Sequence, residues 1–138
     1  MFYLFDYVVG IDRLERLKGI PLKLLAIEHF MDNNPQWMGK VLFVIIGISA
    51  KEREEDYRQT QRDVQCLVNK LNTKFHVEGC SPLIHFQEYK EKDAFLPRRM
   101  AFFAAVDVFM STATRFYKYF HCLFIRCLNH RNFDVLMF

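Results

Sequence analysis

The hydrophobic pattern of this chain changes period along its length, and the changes mark out its elements. Phe2 to Ile11 is a nearly unbroken apolar run and predicts a strand over Tyr3–Ile11. Leu24, Ile27 and Met31 then recur at helical spacing, with Leu25 beside them, predicting a helix over Pro21–Asn33 whose apolar stripe packs on a sheet. Val41–Ile48 predicts a second strand. Lys51–Leu71 predicts a second helix with a stripe of Tyr57, Val64, Leu67, Val68 and Leu71, and Glu52, Glu54, Glu55 and Asp56 crowd its first turns, where acids complement the helix dipole. Beyond Pro82, Leu83–Phe86 reads as a strand, Pro97–Ala105 as a helix and Val106–Ser111 as a fourth strand. This βαβ rhythm predicts an α/β fold, a Rossmann-like parallel sheet with flanking helices joined by right-handed crossovers.

The segment between the first strand and the first helix carries the candidate chemistry. It holds Arg13 and Lys18 in one short connection, and Pro21 suits the first helical turn, where a missing backbone N–H costs nothing. Free N–H groups at that helix start bring partial positive charge to the same place. A guanidinium that can fork two oxygens, an ammonium acting as a point charge and a helix N-terminus form a layout suited to a diphosphate. The loop also lies at the carboxyl end of a strand, where open α/β sheets bind ligands. Asp12 and Glu15 in the same stretch read as capping or loop-ordering residues and not as an acid/base pair.

Three blocks of the sequence resemble a known family. Val9-Gly10-Ile11-Asp12-Arg13-Leu14, Lys18-Gly19-Ile20-Pro21-Leu22-Lys23-Leu24-Leu25-Ala26-Ile27-Glu28 and Asn34-Pro35-Gln36-Trp37-Met38-Gly39-Lys40-Val41 are similar to trehalose-6-phosphate synthase, a retaining glycosyltransferase that joins UDP-glucose to glucose 6-phosphate. Asp56 through Asn72 and Asp107-Val108-Phe109-Met110-Ser111-Thr112-Ala113-Thr114-Arg115 continue the likeness, which covers about residues 8–115. The resemblance implies the second, UDP-sugar-binding half of a GT-B glycosyltransferase, with Arg13 and Lys18 on the donor phosphates and Ile46 and Lys51 near the donor nucleotide. Around those last two, Gly47-Ile48-Ser49-Ala50 departs from the family's wording. It also implies no protein nucleophile, no metal and no cofactor beyond the donor substrate UDP-glucose.

At Arg115 the family pattern breaks. The enzymes continue Asp-Gly-x-Asn-Leu, whereas this chain reads Phe116-Tyr117-Lys118-Tyr119-Phe120-His121-Cys122. The expected organisation is therefore residues 1–115 as a partial UDP-sugar-binding domain and 116–138 as an aberrant Phe-rich tail. Apolar residues at 116, 120, 123, 124, 127 and 128 would give the tail a helical stripe. It could replace a missing helix, dock a partner or a membrane surface, or be read-through never selected to fold, and the abrupt change inside a continuous motif favours the last. With 138 residues the chain can build one domain, while the resembled enzyme needs two Rossmann-like halves. It is read as a fragment, catalytically incompetent alone. The alternative is a non-catalytic regulatory or scaffold remnant that associates with a full-length relative.

Composition narrows the remaining classes. The net charge of +3 argues against a nucleic-acid partner, since no Lys/Arg block is dense enough to form an electrostatic stripe. No run approaches the roughly 18 apolar residues of a membrane span. The four cysteines lack the spacing of a secreted framework and the start lacks a signal peptide, so the expected place is the cytoplasm. His121, Cys122, Cys127 and His130 are the residues from which a zinc set could be drawn, but their spacing favours chance.

Overall fold

The computed structural model describes residues 6–49, 53–93, 107–111, 123–125 and 135–137. The first apolar run forms β1 (Asp6–Arg13), and after a 3-10 turn (Arg16–Lys18) the chain enters α1 (Ile20–Asn33). A second 3-10 turn (Pro35–Trp37) leads to β2 (Val41–Ser49), followed by α2 (Glu54–Lys74), β3 (Ile84–Lys90) and a 3-10 turn (Glu91–Asp93). Then come β4 (Val108–Ser111), β5 (Leu123–Ile125) and β6 (Val135–Met137). The strands join in the order β3-β2-β1-β4-β5-β6. β1 to β4 pair in parallel, while β5 and β6 add antiparallel strands at the edge.

Register divides the sheet into two faces. Val8, Gly10 and Asp12 of β1 sit opposite Phe43, Ile45 and Gly47 of β2, and Ile84 and Phe86 of β3 extend the same rows. This face packs on Ile20, Leu24, Ile27 and Met31 of α1 and on Val64, Val68 and Leu71 of α2, forming one continuous core. The other face carries Val9, Ile46 and Ile48, which are also buried, at 1%, 2% and 3% exposure. Burial on both faces explains why β2 reads Val-Leu-Phe-Val-Ile-Ile-Gly-Ile without polar alternation.

Several element boundaries differ from the sequence expectation, each for a physical reason. β1 runs on to Arg13 because pairing with β2 extends to Arg13 opposite Ile48. α2 continues past Leu71 to Lys74. Asn72 there holds the start of β3 through Nδ2–H to the Ile84 carbonyl at 2.9 Å and Ile84 N–H to Oδ1 at 2.8 Å. β3 continues past Phe86 to Lys90, as suits an edge strand with polar outward positions. The expected helix over Pro97–Ala105 lies outside the described residues. In the tail, residues 123–125 and 135–137 are strands, so the helical stripe expected there is corrected over 123–125. Strand pairing with Phe109, Met110 and Ser111 takes precedence over periodicity.

On α1 the stripe is rotated from the one expected. Leu25 is 45% exposed, and the buried position beside Leu24 belongs to Lys23, which has 0% exposure. α1 and α2 are also tied by charge on their outer edge. The Lys74 ammonium lies 3.0 Å from Glu28 Oε1 and 2.9 Å from Asp32 Oδ2, and Lys70 lies 3.2 Å from Glu28. Hydrogen bonds from Lys74 and then Lys70 hold the Glu28 carboxyl below the usual glutamate range, and those to Asp32 and Glu28 raise the Lys74 ammonium.

A carboxylate whose pKa is depressed on folding contributes stability above its unfolded pKa and loses it as pH falls through the folded one. Acidification from about pH 7 to about pH 3 should therefore lower the melting temperature of the wild type more than that of Glu28→Gln. Equal acid-induced drops in a thermal melt of the two proteins would contradict this.

A second expectation concerns Leu14, fully buried on Gly47, where an added Cβ would meet Leu14 Cγ at 2.7 Å. Leu14→Ala should cost about 2–5 kcal/mol and Gly47→Ala about 1–3 kcal/mol, by cavity and overpacking respectively, in urea denaturation.

Candidate functional site

The chain order places the candidate loop at a singular point of the sheet. From β1 the chain moves outward through β2 to β3, and β4 then returns to the other side of β1. The strand order therefore reverses beside β1, and open α/β sheets bind ligands at such a reversal, outside the carboxyl ends of the strands. Arg13 is the last residue of β1 and Lys18 closes the 3-10 turn that follows.

The loop between them is held from three sides. Leu14 N–H donates to the Ile48 carbonyl at 2.8 Å, and its side chain fills the space over Gly47. The Arg16 N–H donates to Asp56 Oδ2 at 3.2 Å, so one acid in the first turn of α2 reaches over and fastens the turn. Gly19 then takes a left-handed conformation at φ 70°, which lets the chain reverse directly into α1. Pro21 sits in the first turn of α1, as expected, and that turn has neither a side-chain cap nor an acidic residue.

The two cations differ in their surroundings. The Arg13 guanidinium is about one-third exposed, with Nε 3.1 Å from Glu15 Oε1 and an Nη 3.5 Å from Glu91 Oε1. The Glu15 contact is an ion pair without hydrogen-bond alignment. The buried Nε–H consequently has no hydrogen-bond acceptor among the described residues. Lys18 is half-buried and makes no ion pair with any described residue.

Asp12, ion-paired with Lys23, and Glu15, ion-paired with Arg13, order the loop and give no side-chain cap to the 3-10 turn or to α1. Ile46 lies inside β2 in the buried layer of the sheet, and Lys51 falls outside the described residues. The cysteine and histidine set of the tail also falls outside them. Among the described residues no group of three or more His, Cys, Asp or Glu side chains is placed to hold a metal ion.

Sequence reasoning missed Lys23. Its ammonium, fully buried, lies 2.5 Å from Asp12 Oδ2 and 3.0 Å from the Met110 carbonyl. The signal was spacing: Lys23 stands three residues after Ile20 and four before Ile27, on the buried face. Beside the site, Tyr57 donates to Glu88 and Gln61 Nε2–H donates to the same carboxylate at 2.7 Å, joining α2 to β3. Burial, then the Glu88 hydrogen bond and charge, push the Tyr57 hydroxyl up to about 12, so it stays a donor throughout the neutral range.

A parallel sheet flanked by helices, with a basic loop at its strand-order reversal, defines a Rossmann-like α/β domain. The sequence profile of glycosyltransferase family 20 matches residues 4–116, and the chain belongs to that family. It is 36% identical over 108 residues to the UDP-forming alpha,alpha-trehalose-phosphate synthase 2 of Aspergillus fumigatus, covering 78% of this chain and 22% of that protein. It is 33% identical over 108 residues to the UDP-forming synthase of Schizosaccharomyces pombe, covering 78% of this chain and 20% of that one. The chain thus spans about a fifth of the length of these relatives. In fold it is similar to the UDP-forming synthase of Burkholderia xenovorans, with TM-score 0.72 at 22% identity, covering 80% of this chain and 24% of that one. It is also similar to an E. coli trehalose-6-phosphate protein bound with UDP-2-fluoro glucose, with TM-score 0.71 at 21% identity, over 80% of this chain and 24% of that one.

Glu91 competes for the Arg13 guanidinium from a half-exposed position. If an anionic ligand uses that guanidinium, Glu91→Gln should tighten its binding by about 0.2–1 kcal/mol, the worth of an exposed ion pair. Calorimetric titration with UDP showing weaker binding in the variant would argue against competition.

Proposed function

We propose that this chain carries the UDP-binding part of a trehalose-6-phosphate synthase-type glucosyltransferase, in which Arg13 and Lys18 hold the diphosphate of UDP or UDP-glucose. The observation that carries the reading is the place of these two cations. They stand at the strand-order reversal of the sheet, next to the uncapped start of α1, and one buried N–H of Arg13 lacks an acceptor.

The chemistry follows from charge. Transfer of glucose from UDP-glucose to glucose 6-phosphate breaks the bond between the anomeric carbon and the diphosphate, and negative charge accumulates on the departing oxygen. Preorganised cations stabilise that change most when they need not reorganise. Leu14 on Gly47 and Asp56 on the Arg16 N–H fix the loop beforehand. Arg13 is suited to bind two oxygens at once, Lys18 to act as a compact charge, and the first turn of α1 to add backbone dipole. The chain spans about a fifth of its relatives' length, and catalysis by this stretch alone is not expected.

A second reading has one observation in its favour: Arg13 is already engaged by Glu15 and Glu91. On that reading the chain is a non-catalytic module that keeps the fold and associates with a full-length relative. The cytoplasm fits both readings. Cys66 and Cys80 are free thiols, and no helix among the described residues is long and apolar enough to cross a membrane.

Arg13→Ala and Lys18→Ala should each weaken UDP binding by about 1.5–3 kcal/mol, the value of a charge-assisted hydrogen bond. Isothermal titration of the purified chain decides it. Affinity unchanged in both variants would remove the phosphate-binding role, and an absence of UDP binding with capture of a full-length synthase would leave the scaffold.

A further inference from the structure

The Lys23 ammonium takes no part in the site as described, yet among the described residues it is the one charged group that is fully buried. Its side chain leaves α1 and lies over Gly10 of β1, on the face of the sheet that carries the helices. A Cβ at Gly10 would stand 2.6 Å from Nζ and 2.9 Å from Cδ, so the absence of a side chain at that position is what lets the lysine pass. Beyond Gly10, Nζ reaches Asp12 Oδ2 at 2.5 Å and the Met110 carbonyl at 3.0 Å. Asp12 immediately precedes Arg13 at the end of β1, and Met110 lies one residue before the end of β4.

These two strand ends flank the reversal of strand order. Among the described residues they pair at Val8 with Val108 and at Val9 with Phe109. Just beyond these pairs the ammonium bridges the two strands through the Asp12 carboxylate and the Met110 carbonyl. A buried charge keeps such partners because leaving either unpaired costs more than the pair itself gains.

We propose that Lys23 is a positioning residue for the nucleotide loop: by gripping the Asp12 carboxylate and the Met110 carbonyl together, it sets the strand end from which Arg13 projects and couples the carboxyl ends of β1 and β4. The inference rests on the reading that this loop binds UDP. It adds that the loop's geometry is governed from inside the core, by a residue that touches no ligand.

The test compares the wild-type chain with Lys23→Met and with the double variant Asp12→Asn/Lys23→Met. The double variant removes both charges at nearly constant volume, which keeps a buried pair's removal tolerable to the fold. UDP affinity is measured by calorimetry and backbone protection by hydrogen exchange. In the folded double variant UDP affinity should fall about 3- to 30-fold, the usual size of an effect transmitted by a coupled residue. Amide exchange should quicken over residues 13–19 and at Met110 and Ser111, but not in the β2–β3 pairing.

A folded double variant with wild-type affinity and wild-type exchange at those positions overturns the proposal. If the wild type binds no UDP, the nucleotide reading falls, and exchange at the two strand ends alone decides the coupling. Should both variants fail to fold, the wild-type chain still answers. The clamp requires Lys23 ammonium protons protected enough to be seen by nuclear magnetic resonance at neutral pH, and an ammonium exchanging freely with solvent overturns it.

Discussion

A charged group sealed from water must find its balance within the protein, and in this chain that requirement falls on the Lys23 ammonium. Its two oxygen partners come from different strands, and it lies over position 10, where a Cβ would stand 2.6 Å from Nζ. Sequence, packing and electrostatics therefore constrain one another at a single point. The helix that supplies Lys23 begins with the turn that completes the candidate site, and the carboxylate that receives it precedes Arg13. Much of what is distinctive here follows from where that one charge is satisfied.

Around this point the sheet supplies rigidity of a more ordinary kind. Both faces of its central strands are buried, and β2 lies against α1 and α2 through Phe43 and Ile45. The loop after β1 is anchored to this slab by Leu14 seated on Gly47 and by Asp56 reaching from α2. Such anchoring allows cations to await an anion without rearranging, which is the condition under which electrostatic stabilisation is most effective. The engagement of Arg13 by Glu15 and Glu91 tempers this, because a ligand must share or displace those carboxylates. Lys18, with no ion pair to a described residue, carries no such burden.

Membership of glycosyltransferase family 20 and likeness to UDP-forming synthases explain why these features occur together. The chain spans about a fifth of those relatives, and what it shares with their solved counterparts is the Rossmann-like framework. The physics of that portion is local: a strand end, a fastened turn and a helix start.

From the sequence by itself the element order from β1 to β3, the βαβ rhythm and the position of Arg13 and Lys18 were legible, since apolar runs, helical spacing and Pro21 are local signals. The wording of residues 8–41 was also enough to suggest the family. What the tertiary structure decided was every property that depends on a neighbour distant in the chain. It extended β1 to Arg13 through pairing with Ile48, placed Glu91 beside that guanidinium, and turned residues 123–125 into a strand. It also exchanged Leu25 for Lys23 on the buried face of α1, because a lysine can lie in a core only where oxygens from elsewhere await it. Sequence periodicity shows which positions face inward, but the carboxylate that balances this buried charge is 11 residues away, at Asp12, and the carbonyl that completes its shell is 87 away, at Met110, and only folding brings the three together.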